Sequence, residues 1–237
     1  MARPEATAAF LDSFNSIDAR LRKVAKVGRQ VPFSQVLRLA QASDPTITRL
    51  ADDLAVFNDL RNMMVHNSPD LVEPVRTTLR RIRAIDGRLA APPKLKTFFV
   101  RQVVSCGPAT PVRTVARLMA TKDFSQLPVY NEKELLIGMI TTAAVARWLG
   151  KHPDGIAARL DVPASKVMES EEYPRAYRVL RTSDTVGKAL AAFKEQSDLG
   201  EPLYGIVLTD DGNHDFPPRG VITLFDVPRL WSMVRTS

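Results

Sequence analysis

Apolar positions in the first ninety residues recur at the spacing of helices. Phe10, Phe14, Ile17, Leu21 and Val24 stand three or four residues apart, as do Val36 and Leu39, and then Ile47, Leu50, Leu54 and Phe57. Side chains so placed share one face of a helix, and the polar residues between them take the other. Gly28 and Pro32 separate the first helix from the second, Asp44-Pro45 separates the second from the third, and Pro69 ends the third. A last helix spans about Glu73 to Leu89. Helices joined by such short connections predict an all-α bundle over residues 1–92.

After Ala90-Ala91-Pro92-Pro93 the pattern changes. Phe98-Phe99-Val100 reads as a β-rich apolar stretch, and short apolar runs then alternate with amphipathic ones. The alternation occurs twice. Thr114-Val115-Ala116-Arg117-Leu118-Met119 corresponds to Thr185-Val186-Gly187-Lys188-Ala189-Leu190, and each opens a helix. Strand candidates follow at Leu127-Pro128-Val129-Tyr130 and Tyr204-Gly205-Ile206-Val207-Leu208. The next strands are Gly138-Met139-Ile140-Thr141 and Gly220-Val221-Ile222-Thr223; the second copy is longer mainly through its hairpin loop, Thr209 to Arg219. Trp148 and Trp231 close the copies, and a connector from Gly150 to Glu172 carries short helical turns at Ala157 to Leu160 and Ser165 to Met168. The chain is therefore expected to be α+β, a helical bundle followed by two β-α-β-β-α repeats at about 97–150 and 173–237 that pack on each other.

The later copy ends its strand at Thr223 with Asp226 three residues on, in Gly220-Val221-Ile222-Thr223-Leu224-Phe225-Asp226. A carboxylate there can accept two hydroxyl donors, and a helix start attracts phosphate. The same spacing is also an ordinary capped strand-to-helix junction. With Ser125-Gln126-Leu127-Pro128-Val129 in the first copy, these residues resemble a tandem pair of CBS domains, the Bateman module. The resemblance implies a cleft for AMP, ADP, ATP or an S-adenosyl compound. Thr223 would bond its phosphate or ribose, Asp226 would take the ribose hydroxyls, and Thr141 would be the matching position of the first copy. Ala144 stands there in place of the aspartate, so one competent site is expected.

Leu60-Arg61-Asn62-Met63-Met64-Val65-His66-Asn67, in the third helix, is similar to the signature of HEPN domains, helical bundles that often act as metal-independent ribonucleases. The resemblance implies a homodimer in which His66 assists attack of a ribose 2′-hydroxyl on phosphate, Arg61 steadies the phosphorane charge and Asn62 orients. Histidine exchanges protons near neutral pH, and guanidinium pairs with phosphate oxygens in a two-pronged fit. On an α-helix Asn62 and His66 share a face, whereas Arg61 and His66 lie about 140° apart. Arg61 must reach round, or the helix must end near His66, as Pro69 suggests. The plainer alternative pairs Arg61 with Asp59 or Asp53 and leaves His66 as a helix C-terminal residue.

Charge bears on partners. The 237 residues carry a formal +7, and Arg76, Arg80, Arg81, Arg83, Arg88, Lys94, Lys96 and Arg101 are opposed only by Asp86 in their stretch. Such a run attracts RNA or an acidic partner, and with no aromatic residue interleaved with the arginines from Arg76 to Arg88 a stacking platform is not expected. The single cysteine, Cys106, forms no internal disulfide and fits a reducing compartment. No apolar run is long enough to span a membrane and Met1-Ala2-Arg3-Pro4-Glu5 lacks a secretory core, so a cytoplasmic location without membrane association is expected. Asp210, Asp211, His214 and Asp215 lack metal-ligand spacing, and no metal is expected. The combined reading is a nucleotide-sensing regulator whose CBS pair controls a HEPN-like effector. Its rival is a non-enzymatic regulator whose helical domain only dimerises or docks a partner.

Overall fold

The structure, a computed structural model, describes residues 5–67, 72–151 and 160–234. It divides into two compact units. The first is the chain up to Pro93, joined by Val186–Ala191 and the segment from Trp231; the second is Lys94–Thr185 with Ala192–Leu230.

The first unit is helical: α1 (Glu5–Ala25), α2 (Phe33–Ser43), α3 (Pro45–Thr48), α4 (Ala51–Asn62) and α5 (Arg76–Ala90). Its core is the set of apolar stripes turned inward. Phe10, Phe14, Ile17 and Leu21 of α1 are buried with Val36, Leu54, Phe57, Met64, Ile82 and Ile85. Each such side chain contributes about 1.5–3 kcal/mol by leaving water. Phe10 meets Phe57 edge to face with ring centres 5.9 Å apart. Val24 and Leu39, at the ends of their stripes, stay at the surface. Asp44 starts α3 by accepting from Thr46 N (2.9 Å) and Thr46 Oγ1 (2.7 Å), with Pro45 at the first helical position. The expected start of the last helix at Glu73 is corrected to Arg76, because the residue before Pro74 is disfavoured in the α region. Pro69 and the turn residues Ala157 to Arg159 lie outside the described residues.

Trp231, expected to close the second repeat, belongs to the helical unit. The Arg49 guanidinium carbon lies 4.3 Å from its ring centre, and Arg88 Nη2 donates to the Met233 carbonyl.

The second unit opens on α6 (Lys96–Phe99), which overturns the β reading of Phe98-Phe99-Val100. Leu95 and Phe99 are both buried while Thr97 between them is exposed, which fits a helix, since a strand would turn all three to one face. The two copies then run in parallel. In the first, α7 (Val112–Lys122) leads to the antiparallel hairpin β1 (Gln126–Tyr130) and β2 (Leu136–Thr141) and on to α8 (Thr142–Gly150) and α9 (Ala164–Met168). In the second, β3 (Tyr177–Arg181) lies parallel to β4 (Gly205–Thr209), which pairs antiparallel with β5 (Gly220–Thr223) after α10 (Val186–Asp198). A short 3₁₀ turn, Leu224–Asp226, and α11 (Val227–Met233) follow. The registers correspond, with Val129 opposite Gly138 and Leu208 opposite Gly220. The copies differ at their first strand. The first copy keeps only a bridge of Cys106 to Val129, with Cys106 N donating to Pro128 O and Tyr130 N to Cys106 O, where the second has all of β3.

Gly138 within β2 and Gly220 at the start of β5 have different neighbours. A methyl group at Gly220 would collide with the Phe99 carbonyl oxygen, whereas one at Gly138 would meet only the terminal methyl of Met168.

Candidate functional site

Each β-hairpin of the second unit ends in a threonine that receives a carboxylate. In the second copy Asp226 Oδ2 accepts from Thr223 N (2.8 Å) and Thr223 Oγ1 (3.2 Å), forming a capping box across the 3₁₀ turn. Oδ1 is not engaged among the described residues, and Asp226 is half-buried. In the first copy, where Ala144 replaces the aspartate, Glu171 supplies the missing group. Its Oε1 accepts from Thr141 N (2.7 Å) and its Oε2 from Thr141 Oγ1 (3.1 Å), while Thr141 Oγ1 accepts from Ala144 N. Burial pushes the Glu171 carboxyl above the ordinary range, against the opposing pull of the Thr141 bonds and of Arg147. Nothing in the sequence marks Glu171, since thirty residues separate it from Thr141 and no spacing rule joins them.

The two threonines expected to hold the ligand have different surroundings. Thr141 is 3 % exposed and both of its polar groups are taken by Glu171 and Ala144, so it faces the protein and not an open site. Thr223 lines a cavity of only about 60 Å³, with Gln102, Val104, Gln126 and Pro128. That is well below the few hundred cubic ångströms of small-molecule sites. A cleft of about 340 Å³ that also reaches Gln126 is bordered by Tyr204, Leu203, Phe193, Leu224 and Phe225. Leu224 and Phe225, the residues between Thr223 and Asp226, are 63 % and 82 % exposed at its edge.

In the helical unit Arg61, Asn62 and His66 come together. Arg61 Nη1 lies 2.9 Å from His66 Nε2 and 3.1 Å from Asn62 Oδ1. On an unbroken α-helix Arg61 and His66 would lie about 140° apart, but residues Met63–Asn67 wind as a π-helix. Its wider turn repeats at i→i+5 and carries His66 round towards Arg61. Arg61 therefore pairs with neither Asp53 nor Asp59; Asp53 is held by Arg81, Nη2 to Oδ1 at 2.6 Å and Nε to Oδ2 at 3.0 Å. Arg61 and Asn62 line a polar groove of about 460 Å³. On α5, Arg76, Arg80 and Arg83 are exposed.

Other candidate groups have structural roles. In the long hairpin loop Asp210 pairs with Arg219, Asp211 accepts from Asn213, and the His214 ring meets Tyr177. Among the described residues no three potential metal ligands cluster, and no helix is long and apolar enough to cross a membrane. Cys106 is buried, which pushes its thiol up to about 11.

A comparison with curated proteins returned no match. Among solved structures the chain is similar to the CBS domain pair of protein MJ0100 in complex with 5′-methylthioadenosine and S-adenosyl-L-methionine, at 16 % identity and TM-score 0.45 over 61 % of this chain and 100 % of that one. It is similar to CBSX2 in complex with AMP at 16 % identity and TM-score 0.43, over 61 % and 99 %. It is also similar to the CBS-domain containing protein ATU1752 from Agrobacterium tumefaciens at 15 % identity and TM-score 0.42, over 55 % and 85 %. The family model of the CBS domain matches residues 95–151, and that segment of the chain is a CBS domain.

Proposed function

We propose that the repeats form a CBS pair that senses an adenosine-type ligand, AMP, ADP, ATP or an S-adenosyl compound, and sets the output of a HEPN-like effector acting as a homodimer on RNA. The observation that carries the sensor reading is the repeated threonine–carboxylate pair, Thr223 with Asp226 and Thr141 with Glu171, in a chain whose first copy is a CBS domain. Asp226 keeps one oxygen for a ribose hydroxyl, whereas Glu171 spends both on Thr141, which favours a single competent site. Enlarging the small cavity at Thr223 into the neighbouring cleft is the change that a ligand would select. Calorimetric titration with AMP, ADP, ATP and S-adenosylmethionine tests this: saturable binding to at least one is expected, and binding to none removes the sensor.

The effector reading rests on the Arg61–His66 pair. A guanidinium only donates, so Nε2 of the resting imidazole accepts from Arg61 and its proton sits on Nδ1. A phosphate entering beside Arg61 draws the guanidinium away and frees Nε2 to take the ribose 2′-hydroxyl proton. The 2′-oxygen then attacks phosphorus and the bond to the 5′-oxygen breaks. The products are a 2′,3′-cyclic phosphate and, once the leaving oxygen is protonated, a 5′-hydroxyl. No metal is required. Arg61 holds the phosphorane charge through paired N–H groups, and the Asn62 amide steadies Arg61.

A further inference from the structure

We propose that the groove beside Arg61 and Asn62 is a nucleotide subsite, with Arg29 and Arg61 holding the phosphate of one RNA nucleotide and Phe33 taking its base; this rests on the ribonuclease reading above. The groove, about 460 Å³, has room for one nucleotide and lies wholly within the helical unit. Its charged groups are not equivalent. Arg22 is committed to the fold, with Nε on Asp18 (2.8 Å) and Nη1 on the Gly28 and Val31 carbonyls (2.7 and 2.8 Å). Those bonds fix the loop that carries Arg29. Arg29 is exposed at the groove and makes no ion pair among the described residues, so it is the guanidinium left for an anion.

The groove also supplies what the sequence around the α5 arginines lacks, an aromatic face. Phe33, at the first turn of α2, is half-buried and braced by Phe14, with ring centres 4.9 Å apart and planes at 38°. A ring held from behind by packing offers its open face to a base without losing further freedom, the arrangement by which proteins hold unpaired bases. Asn58 and Asn62 stand four residues apart on α4, hence on one side of the helix, and both line the groove. The Asn58 amide can both donate to and accept from a base edge, and the Asn62 amide, whose Oδ1 accepts from Arg61, still has its N–H groups to donate. Arg61 belongs to groove and catalytic pair alike, so a nucleotide seated here lies next to the phosphate that His66 would act on.

The test is fluorescence anisotropy of a labelled twelve-nucleotide single-stranded RNA with the full chain, at one fixed salt concentration, in a His66→Ala background that prevents turnover. Arg29→Glu is compared with Arg80→Glu, an exposed site on α5 with the same change of net charge, and Phe33→Leu keeps most of the packing volume while removing the ring. Expected are a loss of affinity of about tenfold for Arg29→Glu beyond that of Arg80→Glu, and of about fivefold for Phe33→Leu. Arg29→Glu no weaker than Arg80→Glu, with Phe33→Leu unchanged, overturns the subsite. If the protein with His66 restored still cleaves RNA, only the subsite falls; if it neither binds nor cleaves RNA, the ribonuclease reading falls with it. Competition with uridine monophosphate separates the two sources of nucleotide. A strand site resists it at millimolar concentration, and displacement at micromolar concentration overturns the assignment to RNA.

Discussion

Arg61 Nη1 stands 2.9 Å from His66 Nε2, and the residues that join them turn as a π-helix instead of an α-helix. Such single wide turns cost helix regularity and recur at functional sites, since they re-aim one side chain without breaking the element. The pair is exposed at His66, so its removal touches little packing. His66→Ala is expected to lower RNA cleavage at least about 100-fold with an unchanged melting temperature. Arg61→Lys retains charge but loses the forked donors and is expected to lower it at least about tenfold. Both are read from the decay of an end-labelled RNA, and full activity in His66→Ala removes the histidine from the chemistry.

Asp226 has two separable roles, and two substitutions separate them. Asp226→Asn keeps an oxygen to accept from Thr223 and therefore keeps the cap, but it removes the charge. Asp226→Ala loses both, at about 1 kcal/mol of stability. If the carboxylate binds ribose, both variants lose adenosine-ligand affinity by calorimetry, while only the alanine variant loses stability in urea. A normal affinity in Asp226→Asn assigns the residue to capping alone.

Glu171 is the buried carboxylate of the first copy, and its folded-state carboxyl titrates higher than in the unfolded chain because burial outweighs its hydrogen bonds. The native state therefore holds more protons in the window between the ordinary carboxyl range and that raised value. Its contribution is fully present at low pH and is lost as pH rises through the window. Glu171→Gln, which can still accept from Thr141 N, is expected to abolish this slope, seen as the difference between variant and parent in urea unfolding from about pH 4 to pH 8. Glu171→Ala strands the Thr141 N–H and is expected to lose about 1–3 kcal/mol. An identical pH dependence in parent and glutamine variant refutes the account.

Gly220 and Gly138 occupy the same place in the two copies but face different neighbours. Gly220→Ala sets a methyl against the Phe99 backbone carbonyl, which can yield only by moving the chain, and a loss of about 1–3 kcal/mol is expected. Gly138→Ala meets only the end of the flexible Met168 side chain, and a smaller loss is expected. Urea midpoints of the two variants, ranked the other way round, contradict this assignment.

What the amino-acid sequence determined by itself is what depends on neighbours along the chain. Apolar spacing in α1 marked Phe10, Phe14, Ile17 and Leu21, all of which are buried, and the repeat of Gly-x-Ile-Thr marked two matching strands. Those signals are local, because helix and strand periodicities are set by backbone geometry within a few residues. Phe98-Phe99-Val100 misleads for the same reason, since three apolar residues fit either period until Leu95 and Phe99 are seen buried with Thr97 exposed between them.

Only the tertiary structure decided which carboxylate serves which threonine. Thr223 takes the nearby Asp226, as its spacing suggests, but Thr141 takes Glu171 from the connector between the copies. The same holds for the Arg81–Asp53 pair, and for the meeting of Arg29, Phe33, Asn58 and Arg61 at one groove. Hydrogen bonds and ion pairs act over a few ångströms in space whatever the distance along the chain, so their partners are chosen by how the elements pack.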